Sequence, residues 1–171
     1  MWACLIYSYM FFSLLPISEV RKLYSEAAFQ ETKADQLFNS LSDKQTSADA
    51  LLLGYKGAVT ILQAKYCINP YSKWSKFTDG KSLLEKAIQK DKSSIELRFL
   101  RYAIQRNVPS FLGYAQNMQE DKLFILENLP KLHANKTDED LCTRIHNYLL
   151  QYGNLNTSES AQLKHSVKHE H

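Results

Sequence analysis

The chain has 171 residues, enough for one domain, and its hydrophobic content of 44% is typical of a protein with a packed core. Its formal charge of +3 comes from 21 Lys and Arg against 18 Asp and Glu with no long block of one sign, which excludes a strongly basic nucleic-acid-binding protein. Five glycines and four prolines are few for an all-β or loop-rich protein, so composition favours helices.

Residues 1–18, MWACLIYSYMFFSLLPIS, contain no charged side chain. An apolar run of this length followed by Pro16 and Ser18 predicts a cleaved signal peptide, and therefore a protein exported to the periplasm, the cell envelope or the medium. Two alternatives stay open: a retained anchor, which would place residues 1–18 in the membrane, and a hydrophobic first helix packed into the domain.

Residues 19–153 are predicted to form an all-α domain, because apolar residues recur at helical spacing between polar breaks. The predicted helices begin at Ser18 or Glu19, with a bend near residues 29–32, and continue over about 48–66, 78–90, 94–106, 118–129 and 140–152. Residues 71–77 are interpreted as a basic, aromatic connector. The polar residues 154–171 are predicted to be a disordered tail.

Two local features bear on how these helices pack. Gly54 and Gly57 lie inside a helical pattern, where each glycine costs about 1 kcal/mol relative to alanine. Their presence predicts the close approach of another helix. Ser93 and Glu96 have the spacing of a capping box and predict the start of the helix that follows the DKSS break.

The segment from Gly80 through the DKSS turn resembles the second helix of a tetratricopeptide repeat, with Gly80, Leu84 and Ala87 at the small, large and alanine positions. Upstream, Leu53-Gly54 resembles the Leu-Gly pair of a first repeat helix. The resemblance implies antiparallel helical hairpins stacked as a small solenoid-like bundle. As a whole, the chain is similar to small exported helical proteins of bacteria.

Arg98, Arg101 and Gln105 fall on one face of a predicted helix that is apolar on two other sides. The two apolar stripes are Ile95, Phe99 and Tyr102, and Leu97, Leu100 and Ile104. The helix is therefore predicted to be central. The arginines are candidate contacts for a carboxylate or a phosphate. In the alternative interpretation they pair with acids of the chain such as Glu26, Glu31 or Glu85.

Tyr71 and Trp74 are candidate partner contacts, because an exposed aromatic surface binds peptides, sugars or bases; alternatively they fold back onto a helix pair. Cys67 and Cys142 match no zinc or thioredoxin spacing, and a disulfide and two buried thiols both remain open. We predict no metal site, cofactor or catalytic residue. In particular, His165 and His169 have a metal-binding spacing in a segment that lacks helical apolar periodicity.

The function predicted from these features is non-enzymatic: a protein-protein interaction or scaffold domain of the cell envelope. The alternative is an enzyme or a binding protein for an acidic small ligand, with an arginine-lined helical pocket. The helical-hairpin architecture predicts a protein partner, recognised by a concave helix face with Arg98 and Arg101 as polar contacts. The charge balance predicts no nucleic acid.

Overall fold

The computed structural model describes residues 15–134 and 138–166, and over these residues the protein is all-α, with no strand. The helices are α1 (Ile17–Ala27), α2 (Glu31–Ser40), α3 (Asp43–Ala48), α4 (Ala50–Tyr66), α5 (Pro70–Lys90), α6 (Ile95–Asn107), α7 (Met118–His133), α8 (Glu139–Tyr152) and α9 (Thr157–His165). A single 3-10 turn, Ser110–Leu112, lies between α6 and α7. The predicted all-α class is therefore confirmed for the described residues.

α4 and α5 form an antiparallel hairpin, joined by three residues, and share the most extensive packing among the described helices. A Cβ atom added at Gly57 would lie 2.6 Å from the backbone nitrogen of Leu84 and 2.7 Å from the carbonyl oxygen of Gly80. The two backbones are thus in direct contact at these glycines. The predicted reason for glycine inside this helix, close approach of a neighbour, is confirmed.

α6 separates two hydrophobic cores. Its Leu97, Leu100 and Ile104 pack with α1, α2, α4 and α5 in the first core. Its Tyr102, with Ile95 and Phe99 beside it, packs with α7, α8 and α9 in the second. The two apolar stripes predicted for this helix therefore face two different cores, which confirms its central position.

Two predicted boundaries are wrong. The connector of residues 71–77 is helical: Asn69 caps α5 by accepting a hydrogen bond from the Tyr71 amide at 2.8 Å, and Pro70 occupies the first helical position, which needs no amide donor. Ser94, not Ser93, caps α6 through the Leu97 amide at 3.2 Å. The Glu96 side chain therefore has a role other than capping.

The predicted disordered tail is also wrong for residues 154–166, where α9 docks onto α7. Asn156 and Glu159 form a capping box, and Leu163 is fully buried. The Lys122 ammonium lies 2.8 Å from a Glu159 carboxylate oxygen, and both side chains are buried. An ion pair compensates here for the low apolar content that favoured disorder in the sequence. Residues 167–171 lie outside the described residues.

Residues 1–14 of the predicted signal peptide also lie outside the described residues. The last residues of that segment do not: α1 begins at Ile17, and Leu15 and Ile17 pack against the first core. Within the described part of the chain, none of the helices combines the length and the apolar content that a bilayer-spanning helix needs.

Candidate functional site

Arg101, a predicted ligand contact, is bound on the inside of the protein. Its guanidinium donates two hydrogen bonds of 2.7 Å to Asp121 of α7 and a third, of 2.8 Å, to Glu85 of α5. Arg101 is 4% exposed and Asp121 is fully buried. Burial alone would lower the pKa of Arg101, but the bonds to Asp121 outweigh burial and raise that pKa above its usual value.

Arg98 belongs to the same network. Its Nη1 atom donates to Asp121 and to Glu120, both at 2.8 Å, and its guanidinium carbon lies 5.1 Å from the centre of the Phe124 ring. The hydrogen bond from Arg98 holds the pKa of Glu120 below its usual value. Gln105, the third residue of this face, is 3% exposed, and neither atom of its amide has a hydrogen-bond partner among the described residues.

The geometry of this face favours the interpretation in which the arginines pair with acids of the chain. Glu85 was one of the acids considered in the sequence. Asp121 and Glu120 were not, because they lie beyond Pro109 on another helix and no local spacing connects them to α6.

A second buried network was missed by sequence reasoning. Arg21 of α1 donates from Nε and Nη2 to the two carboxylate oxygens of Glu96 at 2.7 and 2.6 Å, and Nη2 also reaches Asp138 at 3.0 Å. The Tyr55 hydroxyl donates to Glu96 at 2.6 Å. The hydrogen bond to Glu96 raises the pKa of Arg21, while burial and then the Glu96 charge raise that of Tyr55. Glu96 therefore joins α6 to α1 and α4.

This network forms the floor of a cavity of about 600 Å³ with apolar walls that include Leu51 and Leu141. Four helices begin at its rim, and their N-cap residues line it: Pro16, Asp49, Ser94 and Asp138. Helix N-termini and a guanidinium attract anions. Here three carboxylates of the chain, those of Asp49, Glu96 and Asp138, already balance that attraction, so the cavity does not favour an acidic ligand.

A third region is the aromatic end surface, which we define as Phe29, Ile68, Tyr71 and Trp74. These side chains are 85%, 98%, 80% and 56% exposed, respectively. Two hydrogen bonds hold the α1–α2 turn against the end of α4: from Lys65 Nζ to the Ala28 carbonyl at 2.9 Å and from the Tyr66 hydroxyl to the Ala27 carbonyl at 2.7 Å.

These bonds place Phe29 at the same end of the fold as the first turn of α5. The buried cavity lies at the other end of α4, whose 17 residues span about 25 Å. The structure therefore brings the predicted contacts Tyr71 and Trp74 to one exposed surface, whereas Arg98, Arg101 and Gln105 face inward.

The described residues include one arrangement of the nucleophile-and-base type. His133 Nδ1 lies 3.8 Å from the Sγ atom of Cys142. Burial raises the pKa of the Cys142 thiol, which opposes formation of the reactive thiolate. Cys67 and Cys142 are both free thiols. No group of three or more His, Cys, Asp or Glu within residues 15–134 and 138–166 is placed to hold a metal ion. His165 ends α9, while His169 lies outside the described residues.

No family model matches the chain, and neither a curated protein nor a solved structure is found to be similar to it.

Proposed function

We propose that this chain is an exported, non-enzymatic helical scaffold of the cell envelope that binds a protein partner through the aromatic end surface. The observation that carries the proposal is the exposure of Phe29, Ile68, Tyr71 and Trp74 at one end of the fold. Single exposed apolar residues are common on protein surfaces, but several large ones exposed at the same end of a fold are typical of an interaction site.

The chemistry of this surface suits a protein partner. Trp and Tyr are enriched among the residues that contribute most to binding energy, because each buries a large rigid area at a small cost in conformational entropy. The Trp74 ring also packs against the buried Phe77, with 6.2 Å between the ring centres. This contact restricts the Trp74 side chain before a partner binds.

The order of helix packing supports a scaffold of stacked hairpins, as the tetratricopeptide resemblance implies. α1 packs on α2, α2 on α4, α4 on α5, and α6 on both α5 and α7. A stack of this kind displays the turns between helices along its edges. The α1–α2 turn and the α4–α5 turn, which together make the aromatic end surface, are two such neighbours.

Cross-linking in living cells tests the proposal. A photoreactive amino acid placed at residue 71 of the full chain should give one discrete protein adduct after irradiation. The substitution Ile68→Ser should abolish this adduct, because it removes an exposed apolar side chain without touching either core. Leu150→Ser is the matched control: Leu150 is 55% exposed and lies on α8. An adduct that survives Ile68→Ser, or no discrete adduct, refutes the proposal.

Export has a separate test, because it rests on residues 1–18 rather than on the aromatic end surface. Fractionation should place the protein outside the cytoplasm, and mass spectrometry should find an N-terminus before Leu15. The second expectation follows from the packing of Leu15 and Ile17 against the core, which cleavage after Ser18 would remove. A soluble cytoplasmic protein with an intact Met1 would contradict export.

A further inference from the structure

A groove of about 490 Å³ runs beside the hairpin, with α4 as its floor and α5 along one side. Tyr71, Ser75 and Asp79 of α5 line it at the spacing of one helix face, over a length of about 12 Å. Phe38 of α2 and Asp43 of α3 line the opposite side. The groove is thus formed by four helices and is long enough for an extended ligand.

The groove carries both signs of charge in equal number. Lys56 and Lys76 line it together with Asp43 and Asp79. The Lys56 ammonium lies 2.6 Å from an Asp43 carboxylate oxygen, and this ion pair lowers the pKa of Asp43. A charged ligand would therefore meet as much repulsion as attraction, and a neutral one fits better.

Phe38 and Leu83 supply apolar surface to the groove, but the face of the Phe38 ring is covered. Both lysine ammonium groups lie over the Phe38 ring, at 5.2 and 5.0 Å from its centre, and so cover its face. Grooves that bind peptides hold apolar side chains in pockets, and no such pocket is open at Phe38. The ring of Tyr71, which is largely exposed at the rim, remains available for stacking.

The polar groups of the groove include both donors and acceptors. The Ser75 hydroxyl donates to Asp79 Oδ2 at 3.1 Å, which leaves Asp79 Oδ1 available to accept. No described residue hydrogen-bonds the Tyr71 hydroxyl. The Lys76 ammonium donates to Gln63 at 2.8 Å and retains further N–H donors.

We propose that this groove binds a neutral oligosaccharide. A sugar has hydroxyl groups that both donate and accept, which match the mixed donors and acceptors of the groove, and an apolar C–H face that stacks on an aromatic ring such as Tyr71. This ligand differs from the protein partner proposed above. Tyr71 is common to the groove and the aromatic end surface, whereas Phe29, Ile68 and Trp74 do not line the groove, so the inference does not depend on the proposed partner.

Nuclear magnetic resonance of the full chain tests this site with three neutral probes: cellohexaose, chitohexaose and maltohexaose. At least one of them should shift the backbone amide signals of residues 71–79 and of Lys56 in a saturable way. Tyr71→Ala should weaken binding about tenfold or more, because loss of one stacked ring costs on the order of 1–3 kcal/mol. Trp74→Ala is the matched control and should bind as the wild-type chain does.

Three results would overturn the inference: no saturable shift with any of the three probes, equal binding by the Tyr71→Ala variant, or tight, salt-sensitive binding of heparin at the same amides. The Ile68→Ser variant separates the two proposals, because Ile68 does not line the groove. Loss of the protein adduct in that variant with unchanged oligosaccharide binding would show two independent sites.

Discussion

Replacing Gln105 with methionine should stabilise the protein. Gln105 is 3% exposed, and neither its amide nitrogen nor its amide oxygen has a hydrogen-bond partner among the described residues. A buried polar group without a partner costs about 1–3 kcal/mol, because folding removes its hydrogen bonds to water and no hydrogen bond inside the protein replaces them. Methionine has the same unbranched length and no polar amide, so the substitution removes this cost without leaving a large cavity.

A matched control is available at Gln63, which is 8% exposed and also lies in a helix. Its amide nitrogen donates to Asp35 at 2.6 Å, and its oxygen accepts from Lys76 at 2.8 Å. Gln63→Met should therefore destabilise the protein by about 1–3 kcal/mol, since each of the two hydrogen bonds contributes roughly 0.5–1.5 kcal/mol. The same change of residue thus has opposite signs at the two positions.

Urea unfolding followed by circular dichroism measures both effects. We expect the free energy of unfolding to rise by at least about 1 kcal/mol in Gln105→Met, with an unchanged dependence on urea concentration. The midpoint of thermal unfolding should rise by about 2–4 °C for each kcal/mol. A free energy of unfolding that is equal or lower in Gln105→Met would refute the reasoning, because it would show that the buried amide is satisfied, for example by an internal water molecule.

Three further substitutions test the packing and the ion pairs. Asp121→Ala should lower the free energy of unfolding by about 3 kcal/mol, because it removes the buried carboxylate that pairs with Arg98 and Arg101 and leaves Arg101 only its hydrogen bond to Glu85; a loss below about 1 kcal/mol in urea unfolding would contradict this. Gly57→Ala should lower the thermal midpoint, although alanine is the better helix former, because its Cβ meets backbone 2.6 Å away; a higher midpoint would contradict the close packing. Glu159→Gln should lower the hydrogen-exchange protection factors of α9 at neutral pH, and in the wild-type chain these protection factors should decrease below about pH 4.5.

The pH dependence in α9 has a definite sign. Burial disfavours ionised Glu159, but Lys122 and other hydrogen-bond donors outweigh burial, so its folded-state pKa lies below the ordinary value of 4.5. The stabilisation is therefore complete above that pH and is lost as the pH falls through the folded-state pKa. Hydrogen-exchange protection factors in α9 that do not change between pH 7 and pH 3 would show that the ion pair does not hold this helix.

The helices that could be predicted from the sequence are those whose packing shows in local patterns. The two apolar stripes of α6 indicated a helix between two cores, and Gly54 and Gly57 indicated a close neighbour, because periodicity and missing side chains are visible without the rest of the fold. The exposure of Tyr71 and Trp74 was also among the alternatives considered. These features depend on residues within four positions of one another.

The features that were mispredicted depend on residues far apart in the chain. α9 contains little apolar periodicity and is held by Lys122, which lies 37 residues before Glu159. Glu96 was assigned to a cap because of its spacing from Ser93, whereas its partner Arg21 is 75 residues away. An ion pair leaves no periodic signal in either helix, so one sequence cannot show which acid will meet which base.

One sequence does not show which side chains are already paired inside the protein. For this reason the two sets of candidate contacts, the arginines of α6 and the exposed aromatic residues of α5, differ in the free energy that binding a partner would cost. For Arg101 to contact a partner, it must release Asp121, and breaking this buried ion pair, which leaves Asp121 with Arg98 alone, costs about 3 kcal/mol. A new ion pair at a wet surface returns only about 1 kcal/mol or less. Among the described residues, the side chains of Ile68 and Trp74 make no hydrogen bond that binding would break, and burial of their apolar area is favourable from the start. Recognition is therefore favoured at the aromatic end surface, while the arginines of α6 hold the helices that carry it.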